Sequence, residues 1–476
     1  MSGSLAKNTT FMTLASVGQK LVAFLYFTLI ARHIGAADTG IYFTALAVST
    51  VAVVFVDVGL TNVFVREGSK SQSDLQTYLS NILSLKLLLG VVSYIGLFIA
   101  VHLLGYNIPL MHMIYLSGVT MLFDSFHLTL YGTLRAIGNL RYEAISLVAS
   151  QIGTLVFGLL FLYFQLPLIF LILAFTIPSF LNVCFAALVL KFRYHISVRL
   201  AWNTSIIRHM IKIVIPFALA AIFARIYSYI DSILLQRLAG DVAVGWYAIA
   251  YKITYSFQFI PLALVAALYP KFSAYAEKNT KELVRLFEQG IKYMMLVSFP
   301  VAIGIALLAR DIILTVYTTE YTNAILPLQI LILSLVFSYL SFPIGACLNA
   351  CNKQARQTTI VGFVMVVNII LNAVFIPRYG VVAAAGAAFV GNMLLTILGY
   401  ISLPNVMAGS HAFFVKTGLQ IAAAALVMGL CVWGVNMVLP FWVALIVGVV
   451  VYPICIFLFR AVTFLEVRET IAMIKR

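Results

Sequence analysis

Charged residues are scarce in this chain of 476 residues. Asp, Glu, Lys and Arg together make up 9% of it, whereas 63% of the residues are hydrophobic. Soluble globular domains carry about 25% charged residues, so the composition excludes a soluble protein. Acidic residues are scarcer than basic ones, with 15 against 30. In a soluble protein that excess would favour nucleic acid as a partner, but in so hydrophobic a chain we expect none.

The usual signatures of catalysis and of metal binding are also absent. The sequence has no G-x-x-x-x-G-K-[ST] phosphate loop, so we predict no ATPase site. Cys347 and Cys351 are four residues apart, but no clustered His or carboxylate beside them would complete a metal site. We therefore expect neither an enzyme nor a bound cofactor or metal. Coupling of transport to membrane potential, H⁺ or Na⁺ stays open.

Long apolar runs dominate the sequence instead. A membrane-spanning helix needs roughly 20 mostly apolar residues, and fourteen such runs follow one another. They lack the period-two alternation of β-barrel strands. We predict an all-α polytopic membrane protein with about fourteen transmembrane helices. The runs lie near residues 10–31, 40–65, 77–104, 109–134, 144–165, 168–190, 211–236, 243–269, 289–309, 324–348, 358–376, 380–403, 412–436 and 440–459.

A turn between two apolar runs occurs twice, 205 residues apart. In each copy a cation precedes the turn near the middle of the first run, Lys20 in one and Arg225 in the other. Six predicted helices separate the copies, which therefore have the same orientation, as in parallel transporter repeats. The recurring turn residues are Arg32, Gly35, Gly40 and Tyr42 in the first copy and Arg237, Gly240, Gly245 and Tyr247 in the second.

This repeat predicts the domain organisation. Residues 1–195 would form an N-lobe with helices one to six, and residues 211–404 a C-lobe with helices seven to twelve. Between them, residues 196–210 alternate basic and apolar side chains, which is typical of an amphipathic segment on a membrane surface. Residues 405–476 would add two helices without a counterpart in the first half, followed by a cytoplasmic tail.

Basic residues are distributed unevenly between the predicted loops. With the N-terminus inside, most loop cations fall on the cytoplasmic side, and the other side receives Arg32, Arg237, Arg310 and Arg378. This asymmetry follows the positive-inside rule and predicts that both termini are cytoplasmic.

Seven charged residues lie inside the predicted spans and away from their ends: Lys20, Asp57, Lys86, Asp124, Arg225, Asp231 and Lys252. Each costs about 2.5–3.5 kcal/mol at a helix centre, so such residues usually face a bundle interior or an aqueous cavity. Pairing between helices is the alternative, because three carboxylates could neutralise part of four cations.

Cations outnumber carboxylates among these residues, and this excess favours an anionic substrate. We predict that Lys20, Arg225 and Lys252 bind it in a central cavity, since Arg and Lys pair with phosphate and carboxylate oxygens. Asp57, Lys86, Asp124 and Asp231 are further candidates for the cavity wall. Tyr227 and Tyr251 would add hydroxyls and ring faces suited to sugars, although tyrosine is equally common in helix packing.

Four parts of the sequence carry a family resemblance: residues 31–35 with 40–42, 57–60 with 66–67, 244–252 and 317–324. They resemble the polysaccharide-transport, O-antigen-flippase (Wzx-type) family of the multidrug/oligosaccharidyl-lipid/polysaccharide exporter superfamily. The resemblance implies a flippase in a bacterial cytoplasmic membrane, which moves a polyprenyl-pyrophosphate-linked oligosaccharide, such as an O-antigen unit of lipopolysaccharide, to the outer leaflet by alternating access. Polymerase and chain-length proteins of glycan assembly are implied as partners, and we expect a monomer.

Two other functions remain open at this point. One is a cation-coupled multidrug exporter with the same fold, although carboxylates would be expected to line its cavity. The other is a non-transporting membrane scaffold of a glycan assembly complex. Cations at equivalent positions of both repeats argue against the scaffold, which has no need of them.

The charge asymmetry generates a topology prediction. Single cysteines placed at Lys7, Ser205 and Lys475 should resist an impermeant maleimide applied to intact cells, because the positive-inside rule places these positions in the cytoplasm. A cysteine at Arg310 should be labelled under the same conditions. Strong external labelling at any of the first three positions would contradict the predicted orientation.

Overall fold

The computed structural model describes residues 2–276, 278–403 and 410–463, without the side chains of residues 2–10, 216 and 217. Within these ranges the chain is helical, and no strand occurs. The side chain of Lys7 and the predicted tail 464–476, with Lys475, lie outside the described residues.

The chain divides into two compact units, Met1–Ala248 and Ile249–Arg476. The boundary falls inside α8, which is shared between them. The first unit holds α1 (Ser2–Asp57), α2 (Leu60–Lys70), α3 (Leu75–Leu104), α4 (Ile108–Ile137), α5 (Arg141–Tyr163), α6 (Ile169–Tyr194), α7 (Thr204–Ala239) and the start of α8 (Asp241–Tyr255). The second holds the end of α8 with α9 (Phe259–Tyr275), α10 (Thr280–Val316), α11 (Ile325–Ala350), α12 (Gln354–Tyr379), α13 (Val381–Ile401), α14 (His411–Asn436) and α15 (Phe441–Leu458).

Thirteen helical segments in the described ranges are long and apolar enough to cross a membrane. The first, Phe11–Lys70, has 60 residues. At about 1.5 Å per residue it would extend roughly 90 Å, far beyond the roughly 30 Å of a hydrocarbon core. Gly35 interrupts this segment and divides it into two crossings. The predicted all-α fold with about fourteen transmembrane helices is confirmed.

The two copies of the repeated turn have the same backbone conformation. Gly35 has φ 79° and ψ 176°, and Gly240, its equivalent 205 positions later, has φ 84° and ψ 177°. Only glycine adopts this region of φ and ψ readily, because a Cβ atom would clash with the backbone. The repeated glycine therefore interrupts the helix in the same way in both copies.

The two turns also contact each other in the first unit, through their backbones. A Cβ atom on Gly40 would lie 1.8 Å from the carbonyl oxygen of Asp241, and one on Gly245 would lie 1.9 Å from that of Ala36. Asp241 follows Ala36 by the same 205 positions, so the contact is reciprocal. A reciprocal contact of this kind is what a local two-fold axis between two equivalent turns produces.

A second repeated turn joins the fourth and fifth helices of each half. Gly138 (φ 83°) and Asn352 (φ 58°) end α4 and α11 in the left-handed region, where Gly and Asn are the usual residues. Each turn is closed by an equivalent backbone hydrogen bond, from the N–H of one residue to the carbonyl of the residue five positions earlier. These bonds are Asn139 N to Leu134 O in the first turn and Lys353 N to Leu348 O in the second, both 2.9 Å.

Each of these turns is tied to the end of the sixth helix of its half. The side-chain amide of Asn139 donates to the Tyr194 hydroxyl at the end of α6, at 2.7 Å. The ammonium of Lys353 donates to the carbonyl of Ser402, just beyond α13, at 3.0 Å. The two halves thus share a second local arrangement that supports the predicted parallel repeat.

Packing places α7 in the first unit, where it contacts α1, α2 and α3. The segment before α7 is fixed to α3, because the Asn203 N–H donates to Asn81 Oδ1 at 2.5 Å. Asn203 also caps α7 by accepting from the Ser205 N–H. The predicted lobe boundary at 196–210 follows the sequence repeat and stays a prediction, whereas the division by packing falls later, at Ala248.

The last two helices pack within the second unit. Both α14 and α15 contact α10 and each other. A separate hydrophobic cluster joins them, with Leu308 of α10 against Met428 and Val432 of α14 and Phe441 and Ala444 of α15.

The contact between the turns predicts the effect of adding one methyl group. Gly40→Ala or Gly245→Ala should lower the stability of the folded protein by about 1–3 kcal/mol, because the new Cβ must displace the opposing backbone. The thermal unfolding midpoint of the detergent-solubilised protein measures this loss. Gly18→Ala is the matched control, since no atom lies within 4 Å of a Cβ there. An unchanged midpoint in both turn variants would contradict the close contact.

Candidate functional site

The second transmembrane helix is broken beside a charged residue. Its first part, in α1, ends at Asp57 and its second, α2, begins at Leu60. Between them Val58 has φ 38° and Gly59 has φ 91°. A positive φ is an outlier for a β-branched residue such as valine. Broken helices are tolerated at membrane depth where they line a cavity or are buried in protein, so the break marks a candidate site.

The corresponding helix of the second half is interrupted as well. Between α8 and α9 it contains a 3₁₀ turn, Ser256–Gln258, and Pro261 follows in the first turn of α9. Proline at that position lacks the N–H that a continuous helix would need. Interruptions in corresponding helices of two repeats are typical of the substrate site of a transporter.

A cavity of about 530 Å³ opens beside the break in the first unit. Its walls come from the end of α1, the start of α2, the middle of α4 and the middle of α7. The lining residues are Thr50, Val53, Val54, Asp57, Val58, Gly59, Asn62, Met121, Asp124, Ser125, Leu128, Ala221, Ala224, Arg225 and Ser228. Three predicted charged residues, Asp57, Asp124 and Arg225, are therefore brought together around one space.

Asp57 is held by a lysine behind the cavity wall. The side chain of Lys86 in α3 is fully buried and forms an ion pair with Asp57. It also donates to the Thr61 hydroxyl at 2.8 Å and to the carbonyl and hydroxyl oxygens of Ser125, both at 3.2 Å. Thr61 in turn donates its hydroxyl to Asp57 at 2.5 Å. These contacts give the buried Lys86 ammonium both a counter-charge and hydrogen-bond acceptors, which a charge at membrane depth requires.

The second carboxylate of the cavity also has partners. Ser179 of α6 donates its hydroxyl to Asp124 Oδ1 at 2.6 Å. The Nε2 atom of His127 lies 3.1 Å from the same oxygen, one helical turn further along α4. Both carboxylates of the cavity wall thus contact neighbouring protein groups through their Oδ1 atoms.

Arg225 differs from these carboxylates. Its side chain is exposed, and within the described ranges it makes neither a hydrogen bond nor an ion pair. A guanidinium keeps its charge at any physiological pH and presents five N–H donors. Arg225 is therefore a cation of the cavity wall that no other described residue engages.

The other predicted cations lie elsewhere. Lys20 lies in the part of α1 before Gly35, and its side chain is exposed. It has no hydrogen bond or ion pair among the described residues, and it does not line this cavity. Lys252 belongs to the second unit, as does Tyr251, whose ring centroid lies 4.4 Å from that of Tyr255. The structure therefore brings Arg225 into the cavity of the first unit without Lys20.

Asp231 and Tyr227 lie further along α7 than Arg225. Asp231 is buried and accepts a hydrogen bond from the Tyr247 hydroxyl at 2.9 Å. Tyr227 is half-buried. Neither residue is among those that line the cavity.

The arginines of the repeated turns lie away from the cavity. Arg32 is exposed and lies in α1 just before the interruption at Gly35. Arg237 lies beside the turn between α3 and α4, where its charge acts on Tyr106. Burial raises the pKa of Tyr106 to about 12, although the Arg237 charge opposes this shift. Tyr106 is thus neutral at physiological pH.

Sequence reasoning missed the neutral partners of the charged residues. Thr61 follows Asp57 by four positions, a spacing that places both on one face of a helix, and this was the one available signal. Ser125 and Ser179 carry no comparable signal, because serine is common in membrane helices. No group of three or more His, Cys, Asp and Glu residues that could hold a metal occurs in the described part of the chain.

The family model for polysaccharide biosynthesis proteins matches residues 5–276, more than half of the chain. The chain belongs to this family. It is accordingly a multi-pass membrane protein of the multidrug/oligosaccharidyl-lipid/polysaccharide exporter superfamily. A second family model, MatE, matches residues 216–374, so the two models together span both units.

Individual relatives and structures agree with this assignment. The "Probable low-salt glycan biosynthesis flippase Agl15" of Haloferax volcanii is 23% identical over 98% of this chain and 97% of its own length. The lipid II flippase MurJ in an inward closed conformation has a similar structure, with a TM-score of 0.77, 17% identity and coverage of 94% of this chain and 98% of its own. An inward-facing multidrug resistance transporter of the MATE family reaches 0.68, with 17% identity, 82% of this chain and 93% of its own.

Proposed function

We propose that this protein is a flippase that moves a polyprenyl-pyrophosphate-linked oligosaccharide across a cytoplasmic membrane by alternating access. The observation that carries the proposal is Arg225, which lines the cavity of the first unit and has no partner among the described residues. The family and the flippase names of its relatives support the transport class. Arg225 supports the kind of substrate.

The charged residues of the cavity differ in their partners. Asp57 is paired with Lys86, and Asp124 accepts a hydrogen bond from the Ser179 hydroxyl. A ligand that enters the cavity therefore meets a guanidinium that is paired with neither carboxylate. Arg binds phosphate oxygens through two parallel N–H donors, which gives both energy and orientation. A pyrophosphate group fits this requirement.

The surrounding wall suits the uncharged part of such a substrate. Thr50, Asn62 and Ser228 supply hydroxyl and amide groups, which can hydrogen-bond to sugar hydroxyls, and Val53, Met121 and Leu128 supply apolar contacts. A cavity for cationic drugs would instead need carboxylates that are free to bind a cation.

The remaining predicted cations extend this proposal. Lys20 is equivalent to Arg225 in the sequence repeat and is exposed without a partner among the described residues. We propose that Lys20 and Lys252 contact the anionic substrate at other stages of transport. An O-antigen unit, a bacterial inner membrane with both termini in the cytoplasm, and assembly with polymerase and chain-length proteins belong to the same proposal. The monomeric state and the coupling to membrane potential, H⁺ or Na⁺ also belong to this proposal.

Replacement of Arg225 tests the proposed function. The protein is reconstituted in liposomes with a fluorescent polyprenyl-pyrophosphoryl disaccharide, and transfer between leaflets is followed with an impermeant quencher. Arg225→Gln should slow transfer at least about tenfold, because a lost charge-assisted hydrogen-bond pair is worth about 1.5–3 kcal/mol. Arg225→Lys should retain part of the rate, since it keeps the charge but not the planar donor pair.

Arg208→Gln is the matched control, because Arg208 is an exposed arginine on the same helix that does not line the cavity. It should transfer the lipid at the wild-type rate. A wild-type protein that transfers no pyrophosphate lipid but moves a cationic dye would overturn the flippase and favour the drug exporter. Equal rates for Arg225→Gln and wild type would remove Arg225 from the site.

A further inference from the structure

The Lys86–Asp57 ion pair lies beside the cavity that Arg225 also lines. Lys86 is fully buried, whereas 37% of the Asp57 side chain is exposed. The hydrogen bonds described for Asp57, from Lys86 and Thr61, all end at Oδ1. The carboxylate is therefore anchored through one oxygen to the wall, and the residue still lines the cavity.

Asp57 and Arg225 line the same cavity but are not paired in this structure. Opposite charges attract strongly where water is limited. In this structure the Asp57 carboxylate is paired with the Lys86 ammonium instead. Without that ammonium, Asp57 would be an uncompensated carboxylate facing a space that contains a free guanidinium.

Other cations near Asp57 are not available to replace Lys86. Arg135 acts electrostatically on Asp57, but its guanidinium is held by Glu143, with Nε donating to Oε2 at 2.8 Å. Arg225 is thus the cavity-lining cation without a partner in the described residues. An unpaired Asp57 would be expected to pair with it.

We propose that Lys86 is a positioning residue for transport, which keeps Arg225 free for the substrate anion by holding Asp57 in a separate ion pair. This role rests on the proposed function, in which Arg225 binds the pyrophosphate. It assigns a task to a buried lysine that never touches the substrate. It also explains why a carboxylate is tolerated in the wall of an anion site.

The proposal predicts a loss that a second mutation reverses. Lys86→Met should slow transfer of the fluorescent pyrophosphate lipid about tenfold, because Asp57 then occupies Arg225. Lys86→Gln, which keeps amide donors for Thr61 and Ser125 but no charge, should be slowed similarly. Adding Asp57→Asn to Lys86→Met should restore the rate to within about threefold of wild type, since a neutral pair often replaces a buried ion pair without harm.

A second measurement reports on Arg225 without transport. Phenylglyoxal modifies free guanidinium groups, and mass spectrometry of the peptide that carries Arg225 gives the rate. This rate should fall about fivefold in Lys86→Met and recover in the double variant. If wild-type protein transfers no lipid, the proposed function fails, whereas the reactivity of Arg225 still tests the role of Lys86.

Lys70→Met is the matched control, since Lys70 forms an exposed ion pair with Glu67 at 2.8 Å. It should leave both the transfer rate and the reactivity of Arg225 unchanged. Membrane abundance is measured for every variant. Unchanged reactivity of Arg225 in Lys86→Met and Lys86→Gln would overturn the proposal. A double variant that inserts normally but transfers as slowly as Lys86→Met would also overturn it. Lys86 would then affect transport by a route that does not involve Asp57.

Discussion

A charge at membrane depth must be compensated, and the arrangement of the first unit depends on how its charges meet this constraint. Lys86 is compensated completely, by Asp57 and by oxygens from two further residues. This pairing joins α3 to the broken end of α1 and to α4. Arg225 meets the constraint in another way, by facing a cavity. The same physical requirement thus produces, within one unit, a structural ion pair and a cavity-lining guanidinium without a partner among the described residues.

The break in the second helix depends on the same ion pair. Val58 and Gly59 leave the helical region, so regular backbone hydrogen bonding is lost around them. The Asp57 side chain compensates in part, because it accepts a bond from the Thr61 hydroxyl at 2.5 Å and lies 3.4 Å from the Thr61 N–H. Lys86 fixes Asp57 for this task. Cavity shape and cavity charge are therefore set by the same few side chains.

The sequence predicted the helical fold and the repeated turns, because apolar runs and glycine positions are local signals. Gly35 and Gly240 could be paired from spacing alone, and their nearly identical dihedral angles follow from that equivalence. The second repeated turn, at Gly138 and Asn352, was not predicted, since its offset is 214 residues and its residues differ. Backbone conformation repeats there although the sequence does not.

The pairing of charges could not be predicted from the sequence. Asp57 and Lys86 are separated by α2 and the connection that follows it, and neither residue belongs to the repeat. Which carboxylate pairs with which cation depends on how neighbouring helices are rotated, and an apolar run does not encode that rotation. The sequence could place Arg225 in a membrane span. That Arg225 has no partner among the described residues depends on where Asp57 and Asp124 find theirs.

The symmetry of the backbone does not extend to the chemistry. The repeated turns contact each other reciprocally, as two equivalent elements do. At the offset of the turns, however, Asp57 corresponds to Leu262, so the helix break carries a charge in one half only. A lipid-linked oligosaccharide is itself asymmetric, with an apolar tail, an anionic linker and a polar glycan. Under the proposed function, the asymmetric set of charges gives the first half the site for the anionic linker.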